Sequence, residues 1–397
     1  MNVPRLEVAE VLRQYAPEFL ATYAASLGQR RVIADLIACR SASLGGHRWR
    51  CPQCGHEEVA YNSCRNRHCP KCQAGKQAEW LAAQCGNLLE ASYCHIVFTL
   101  PQSLSPLVLQ NQRLLYGLLF RCGAQSLLRI AADPNHLGAT IGFTAILHTW
   151  GQTLMHHPHL HCVAPAGGLS PDQQRWVPAR ERFFLPVRVL SRLFRGSYLA
   201  GLRRAWQDGQ LRLAGRLDKL ADLHQWEAFL GRLARLEWVV YANPAFGSPR
   251  QVLAYLARYT HRVAISNQRL CSLQNGQIAF RYKDYQSGAR QRIMHLPAVE
   301  FIRRFLLHTL PKGFVRIRHY GFLANRVRAE KLALCRELLA KAPARTTPRN
   351  SPDHPAPASS GPLFPCPVCR QGSMLLVATV APVPPTPNPR MNSPGYD

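Results

Sequence analysis

Two short segments of this 397-residue chain carry side chains that could act on one substrate. The first is His156-His157-Pro158-His159-Leu160-His161. In an extended strand, residues two apart project from the same face, so His159 and His161 can offer neutral imidazoles to one divalent cation while Leu160 packs behind them. The second is Tyr255-Leu256-Ala257-Arg258-Tyr259, where two phenols four residues apart stack one helical turn above each other. A phenol, with an ordinary pKa of about 10, is a poor nucleophile at neutral pH. Placed beside a cation that offsets transition-state charge, it can attack a phosphodiester and hold the product covalently. Taken singly, the histidines read more simply as solvated and the tyrosines as packing; their company gives both weight.

Two imidazoles are too few ligands for a hard ion. If the histidines lie on the second arm of a hairpin, a third ligand comes most simply from the facing arm. Gln152, seven residues before His159, takes that position if the connection spans residues 153 to 158; His95, His148 and His157 are the alternatives. Mg²⁺ or Mn²⁺ suits phosphate chemistry with mixed nitrogen and oxygen ligands.

Composition bears on the partner. With 49 Lys plus Arg against 22 Asp plus Glu, the formal charge is +27, which favours a polyanionic partner, although a positive membrane-surface protein could look similar. No run of eighteen apolar residues is present, and the N-terminal residues lack the apolar core of a signal peptide, so the expectation is a cytoplasmic protein without a membrane partner. Fourteen cysteines then read as thiolate metal ligands or buried thiols, not disulfides.

Cys51-Pro52-Gln53-Cys54 and Cys69-Pro70-Lys71-Cys72 form two Cys-x2-Cys knuckles with fourteen residues between them. Each turn can supply two sulfurs, and the loop between can fold back as a ribbon, so the four thiolates are expected to close one tetrahedral zinc site. Cys39, His47, Cys64 and His68 remain for a second, mixed site. Arg65 and Arg67 lie among the basic residues around these turns and make the zinc module a candidate DNA surface. Two longer stretches, Arg250 to Lys283 with six Lys or Arg and Phe301 to Arg328 with seven, contain no acidic residue. Arg258 and Arg262 from the first, and Arg316 and Arg318 from the second, are the candidate DNA contacts there, with interleaved aromatics for unstacked bases.

The elements that must position these groups follow from periodicity. Residues 6 to 38 read as helical, Tyr93 to Leu100 as a strand ended by Pro101, and 105 to 131 as helix. Ile141 to Thr149 and Pro158 to Ala164 read as the hairpin that carries His159 and His161. Residues 186 to 235 are helical, Trp238 to Tyr241 a strand, and the tyrosines lie on a helix entered after Pro249. Strands at Arg262 to Ser266 and Ile278 to Tyr282 and a helix at 297 to 308 complete an α+β pattern built on antiparallel sheet. Beyond residue 341, Pro, Ser and Ala dominate, predicting a mostly disordered tail in which Cys366-Pro367-Val368-Cys369 is a lone knuckle, read as a remnant.

These blocks resemble the HUH-type transposases of rolling-circle insertion sequences, in particular the two-tyrosine group with an N-terminal zinc-binding domain. The likeness is carried by Tyr61 to Pro70, by Phe98-Thr99-Leu100-Pro101, by His148-Thr149-Trp150-Gly151-Gln152 leading into His157 to His161, by the paired tyrosines, and by Leu310 to Gly321. The resemblance implies a ferredoxin-like antiparallel sheet in the catalytic domain, with the metal on the sheet and the tyrosine helix across it. It implies zinc-binding residues 1 to 90, a catalytic domain at 91 to 335 and a tail at 341 to 397. The implied activity is cutting and rejoining single-stranded DNA at element ends through a 5′-phosphotyrosine, with no nucleotide cofactor. A replication-initiating nickase of the same chemistry and a zinc-containing DNA-binding regulator are the alternatives.

Overall fold

The computed structural model describes residues 6–72, 79–80, 82–84, 86–180, 185–246, 264–285, 287–341 and 364–383. They fall into two units: residues 6–72 with 364–383, and the described residues from 79 to 341.

In the first unit, the helix Val8–Thr22 buries Val8, Val11, Leu12, Ala16 and Phe19, an apolar stripe at three- and four-residue spacing. The helix Leu27–Ala38 starts at Ser26, whose hydroxyl accepts from the Gln29 amide while the Gln29 side chain accepts from the Ser26 amide, a reciprocal cap. Strands β1 (Gly46–Arg50) and β2 (Glu57–Tyr61) form an antiparallel hairpin. The free side of β1 is covered by the strand Leu375–Val380, so the tail contributes a strand to the N-terminal unit. The expectation of a mostly disordered tail is corrected over residues 364–383. Over those residues one turn and one strand are ordered by partners far away in the chain, which local composition does not encode.

The second unit is organised by β3 (Tyr93–Thr99), β4 (Gly142–Trp150), β5 (His156–Pro165), the short hairpin β6 (Gly167–Leu169) and β7 (Trp176–Pro178), and β8 (Val240–Phe246). Three further strands, β9 (Leu270–Gln274), β10 (Gln277–Asp284) and β11 (Arg290–Pro297), make a separate antiparallel sheet against the helix Ala298–Leu306, and β12 (Ile317–Gly321) returns to the main one. The main sheet runs β12-β4-β5-β3-β8, every neighbour antiparallel. Its first four strands in chain order are joined as β3, helices, β4, β5, helices, β8. The helices Gln112–Ala132 and Val187–Gln207 pack on it, with Leu223–Arg235 against the latter. The helix expected over 105 to 131 is broken at Asn111, whose buried side chain bonds the backbone of Arg212.

Alternation along the strands sorts residues to two faces. Ile96 and Phe98 of β3, Phe143, Ala145 and Leu147 of β4, and Leu160, Cys162 and Ala164 of β5 enter the core under the helices. The intervening residues, among them His95, His148, His159 and His161, therefore project from the opposite face. The strand expected at 262 to 266 does not form over residues 264–266.

Candidate active site

The register of the hairpin decides which side chains meet. β4 runs to Trp150 and β5 begins at His156, so the connection is residues 151–155, not the expected 153 to 158. His148 lies opposite His159, Ile146 opposite His161 on one side and Val97 on the other, and a bulge between His148 and Trp150 absorbs the offset. One nitrogen from each of His148, His159 and His161 can then be chosen so that all three lie within 4.8 Å of one another. Gln152, the expected third ligand, sits in the turn instead. Its side-chain oxygen accepts from the Lys283 amide at 3.4 Å and its carbonyl accepts from the Arg269 guanidinium at 2.6 Å, which ties the turn to β10. Counted across the five-residue connection alone, His159 would face Leu147; the bulge shifts the register by one residue and brings His148 opposite it.

Hydrogen bonds and ring stacking orient these imidazoles. His159 Nδ1 donates to the His157 carbonyl at 2.6 Å, which fixes the tautomer and leaves Nε2 with its lone pair. His161 Nδ1 lies 2.8 Å from Nε2 of His95, a buried histidine on β3. His148 stacks on Trp150 with ring centroids 4.4 Å apart. Burial pushes His159 down to about 3 and His95 to about 4; burial, then the neighbouring His148, pushes His161 well below the ordinary range. Burial thus favours the neutral imidazole in His95, His159 and His161, and for the last two that is the form that can bind a metal. Three imidazoles as donors would suit a borderline ion such as Mn²⁺ better than the harder Mg²⁺. His95 was one of several possible ligands in the sequence; only the strand order β5-β3 shows it behind His161.

Tyr255, Tyr259, Arg258 and Arg262 lie outside the described residues. Arg318 is placed on the helix-covered face of the sheet, its guanidinium carbon 4.1 Å from the centre of the Phe120 ring and 5.4 Å from that of Phe314. It packs there as a cation over aromatics, away from the histidine face. Arg316 precedes β12, its carbonyl accepting from the Leu147 amide. Phe314 and Phe322, two of the aromatics interleaved with these basic residues, are buried in apolar cores. Arg65 is exposed and Arg67 half-buried, both in the loop between the cysteines of the N-terminal unit.

The cysteines of that unit group differently from the expectation. Cys39, Cys64, Cys69 and Cys72 converge, with Sγ separations of 3.5 to 3.6 Å for Cys39 to Cys72, Cys39 to Cys69 and Cys64 to Cys72. A tetrahedron with zinc–sulfur bonds of about 2.3 Å has an edge of about 3.8 Å, so these spacings fit a four-thiolate zinc ion. Cys51 and Cys54 converge instead with Cys366 and Cys369. Neither set includes His47 or His68. His68 Nδ1 donates to the Asn66 side-chain oxygen at 2.9 Å and belongs to the loop's own hydrogen bonding. Cys51 and Cys54 lie in the turn that joins β1 to β2 and Cys69 and Cys72 beyond β2, and each knuckle finds its partners elsewhere.

Residues 142–331 match the family model described as "Putative transposase", and residues 11–100 match one described as "Transposase zinc-binding domain". Over 376 residues, 94% of each chain, the sequence is 51% identical to the "Putative transposase y4qJ" of Sinorhizobium fredii. It is 30% identical over 327 residues, 80% of this chain and 75% of that protein, to the transposase for insertion sequence element IS801 of Pseudomonas savastanoi pv. phaseolicola. The chain belongs to the IS91-type transposase family. Membership makes it a DNA-cleaving enzyme with DNA as its partner. No solved structure matches this transposase. Among the described residues no helix is long and apolar enough to cross a membrane.

Proposed function

We propose that this transposase cuts and rejoins single-stranded DNA at the ends of its element through a 5′-phosphotyrosine, the chemistry of rolling-circle transposition. The observation that carries the reading is the convergence of His148, His159 and His161 on one sheet face. The strand order β8-β3-β5-β4, joined as strand, helix, strand, strand, helix, strand, supports the ferredoxin-like reading of the catalytic domain.

In this reading His148, His159 and His161 hold a divalent cation, Mn²⁺ by its donor set. A cation held by these three residues would supply positive charge against the negative charge developing on the scissile phosphate. The protein's own groups do the rest. The His157 carbonyl and His95 hold two of the imidazoles in their ligating tautomers before substrate arrives, so little reorganisation is needed during reaction. Tyr255 or Tyr259 supplies the nucleophile: its oxygen forms a bond to phosphorus, the bond to the 3′ oxygen breaks, and a 3′ hydroxyl is released. The phosphotyrosine keeps the bond energy, so a 3′ hydroxyl can reverse the step without a nucleotide cofactor. Two tyrosines allow one site to hold two strand ends. The excess of Lys and Arg supplies the sequence-independent part of DNA affinity.

Incubation of labelled single-stranded DNA carrying the element end with transposase and Mn²⁺ should give a protease-sensitive shifted band on a denaturing gel. The variant with Tyr255→Phe and Tyr259→Phe should bind DNA and give no such band. Cleavage without any adduct in the wild type would favour metal-activated water and refute the reading.

A further inference from the structure

Neither family match extends to Cys366 or Cys369. We propose that Cys51, Cys54, Cys366 and Cys369 hold a second four-thiolate zinc ion, and that this ion fastens the tail segment 364–383 to the β1–β2 hairpin of the N-terminal unit. The inference does not depend on the mechanism of DNA cleavage.

The sulfurs are spaced for it. Cys51 Sγ lies 3.7 Å from Cys369 Sγ and Cys54 Sγ lies 3.6 Å from Cys366 Sγ, and all four fall within 4.8 Å of one another. These separations approach the edge of a zinc–thiolate tetrahedron, about 3.8 Å, and exceed a disulfide bond of about 2.05 Å.

The two knuckles are also built alike. Both read Cys-Pro-x-Cys. In the first, the Gly55 amide donates to the Cys51 carbonyl at 2.9 Å and the Cys51 amide to the His56 carbonyl at 2.8 Å. In the second, the Arg370 amide donates to the Cys366 carbonyl at 2.9 Å and the Cys366 amide to the Gly372 carbonyl at 2.7 Å. The residue after the second cysteine is left-handed in each, Gly55 at φ 72° and Arg370 at φ 58°. A non-glycine residue in that conformation costs free energy. Arg370 adopts it where the turn brings the amide of Gly372 within 3.4 Å of Cys369 Sγ, a bond that favours thiolate.

The tail is shaped to the hairpin on either side of the sulfurs. Trp49 and Phe364 meet with centroids 5.4 Å apart, and Cys51, Cys366 and Met374 form a small buried core. A Cβ on Gly372 would come within 2.6 Å of Cys51 Sγ, so this close approach requires glycine. The strand Leu375–Val380 pairs with β1 from Arg50 back to Gly46, and the Val383 amide donates to the Ala42 carbonyl at 3.0 Å. A hairpin whose residues Glu57–Tyr61 are exposed has little apolar area with which to hold a third strand. A metal bridging residues 51 and 369 provides the missing free energy, since zinc binding is folding free energy in modules of this size.

Zinc per chain in the purified full-length protein should be two, falling to one in the variant with Cys366→Ser and Cys369→Ser. One zinc in both proteins, or disulfides among the four cysteines after purification under reductant, would overturn the proposal. A second measurement holds if that variant folds poorly. With a specific protease site inserted between residues 345 and 360 of the otherwise wild-type chain, the cut tail should co-elute with the body, dissociate on chelation and return with added zinc. A tail released while zinc is still bound, or retained after complete chelation, would refute the clamp. Neither measurement involves DNA cleavage, so failure here leaves the phosphotyrosine reading standing, and the converse.

Discussion

His95 Nε2 lies 2.8 Å from His161 Nδ1, with the planes of the two buried rings 13° from parallel. If His161 ligates through Nε2, its Nδ1 proton must go to an acceptor, and His95 provides one from the neighbouring strand. The pair is thus the strand-borne equivalent of the outer partner that orients metal-ligating imidazoles, whose loss typically costs about 10- to 100-fold in metal affinity. His95→Leu should weaken Mn²⁺ binding by about that factor while the fold persists. His95→Gln, whose carbonyl oxygen can accept the same proton, should recover most of it. Titration calorimetry with Mn²⁺ decides; equal affinities in both variants would show that the contact is packing only.

The hairpin register makes a second distinction. His148 faces His159, whereas the Gln152 side chain bonds the Lys283 amide. His148→Ala should therefore abolish Mn²⁺-dependent formation of the DNA adduct, by at least about 100-fold in rate, with DNA affinity retained. Gln152→Ala should leave the rate within about threefold and act, if at all, by loosening the turn. The reverse pattern would place the third ligand in the turn and refute the register argument.

Much of this site was legible in the chain before folding. The alternation through His159, Leu160 and His161 already separated ligand face from core face, because strand periodicity is local and strict. The hairpin itself was legible too. What failed was its register: moving the start of β5 from Pro158 to His156, together with one bulge, changes the residue opposite His159 from Gln152 to His148. The cysteine groupings failed for a different reason. Neighbouring knuckles in sequence were paired, but Cys51 finds Cys369 across 318 positions, and no local pattern encodes a contact of that range. His95 was visible only as a histidine in a strand; that it backs His161 is a fact of strand order.

Gly321 closes β12 at a left-handed φ of 60°, and a Cβ there would collide with the Ile141 carbonyl oxygen, part of the backbone entering β4. A flexible side chain could move aside, but this backbone is held, since the Phe322 amide donates to the same carbonyl. Gly321→Ala should destabilise the sheet unit by about 2 kcal/mol or more, through the conformational penalty and the clash together. Gly313, also left-handed but with open space around its Cβ position, is the control: Gly313→Ala should cost only about 1 kcal/mol. Denaturant midpoints of the two variants compare them directly, and equal losses would count against the clash.

On the core face of the same sheet lies a polar group that titrates with folding. His156 Nδ1 is 2.5 Å from Ser105 Oγ and its Nε2 is 2.9 Å from the Tyr116 hydroxyl, while His308 Nε2 donates to the Leu154 carbonyl at 3.1 Å and its Nδ1 lies 3.1 Å from Thr149 Oγ1. Burial, followed for His156 by the nearby His308 and His157, pushes His156 down to about 3; burial pushes His308 to about 4. Both folded values are below the ordinary 6.5, so the unfolded chain binds more protons between pH 6.5 and about 3 to 4, and stability must fall as pH falls through that window. At about 1.4 kcal/mol per unit, each histidine removes about 2 kcal/mol between pH 6.5 and pH 5. His156→Gln keeps a donor and an acceptor but cannot titrate, so its loss of stability from pH 7 to pH 5 should be smaller than the wild type's by about that amount. Denaturation followed through Trp226 and Trp238, both buried in the helical layer of this unit, reports the difference. Identical slopes against pH would show that His156 is already protonated in the folded protein, and that its two bonds are those of an imidazolium.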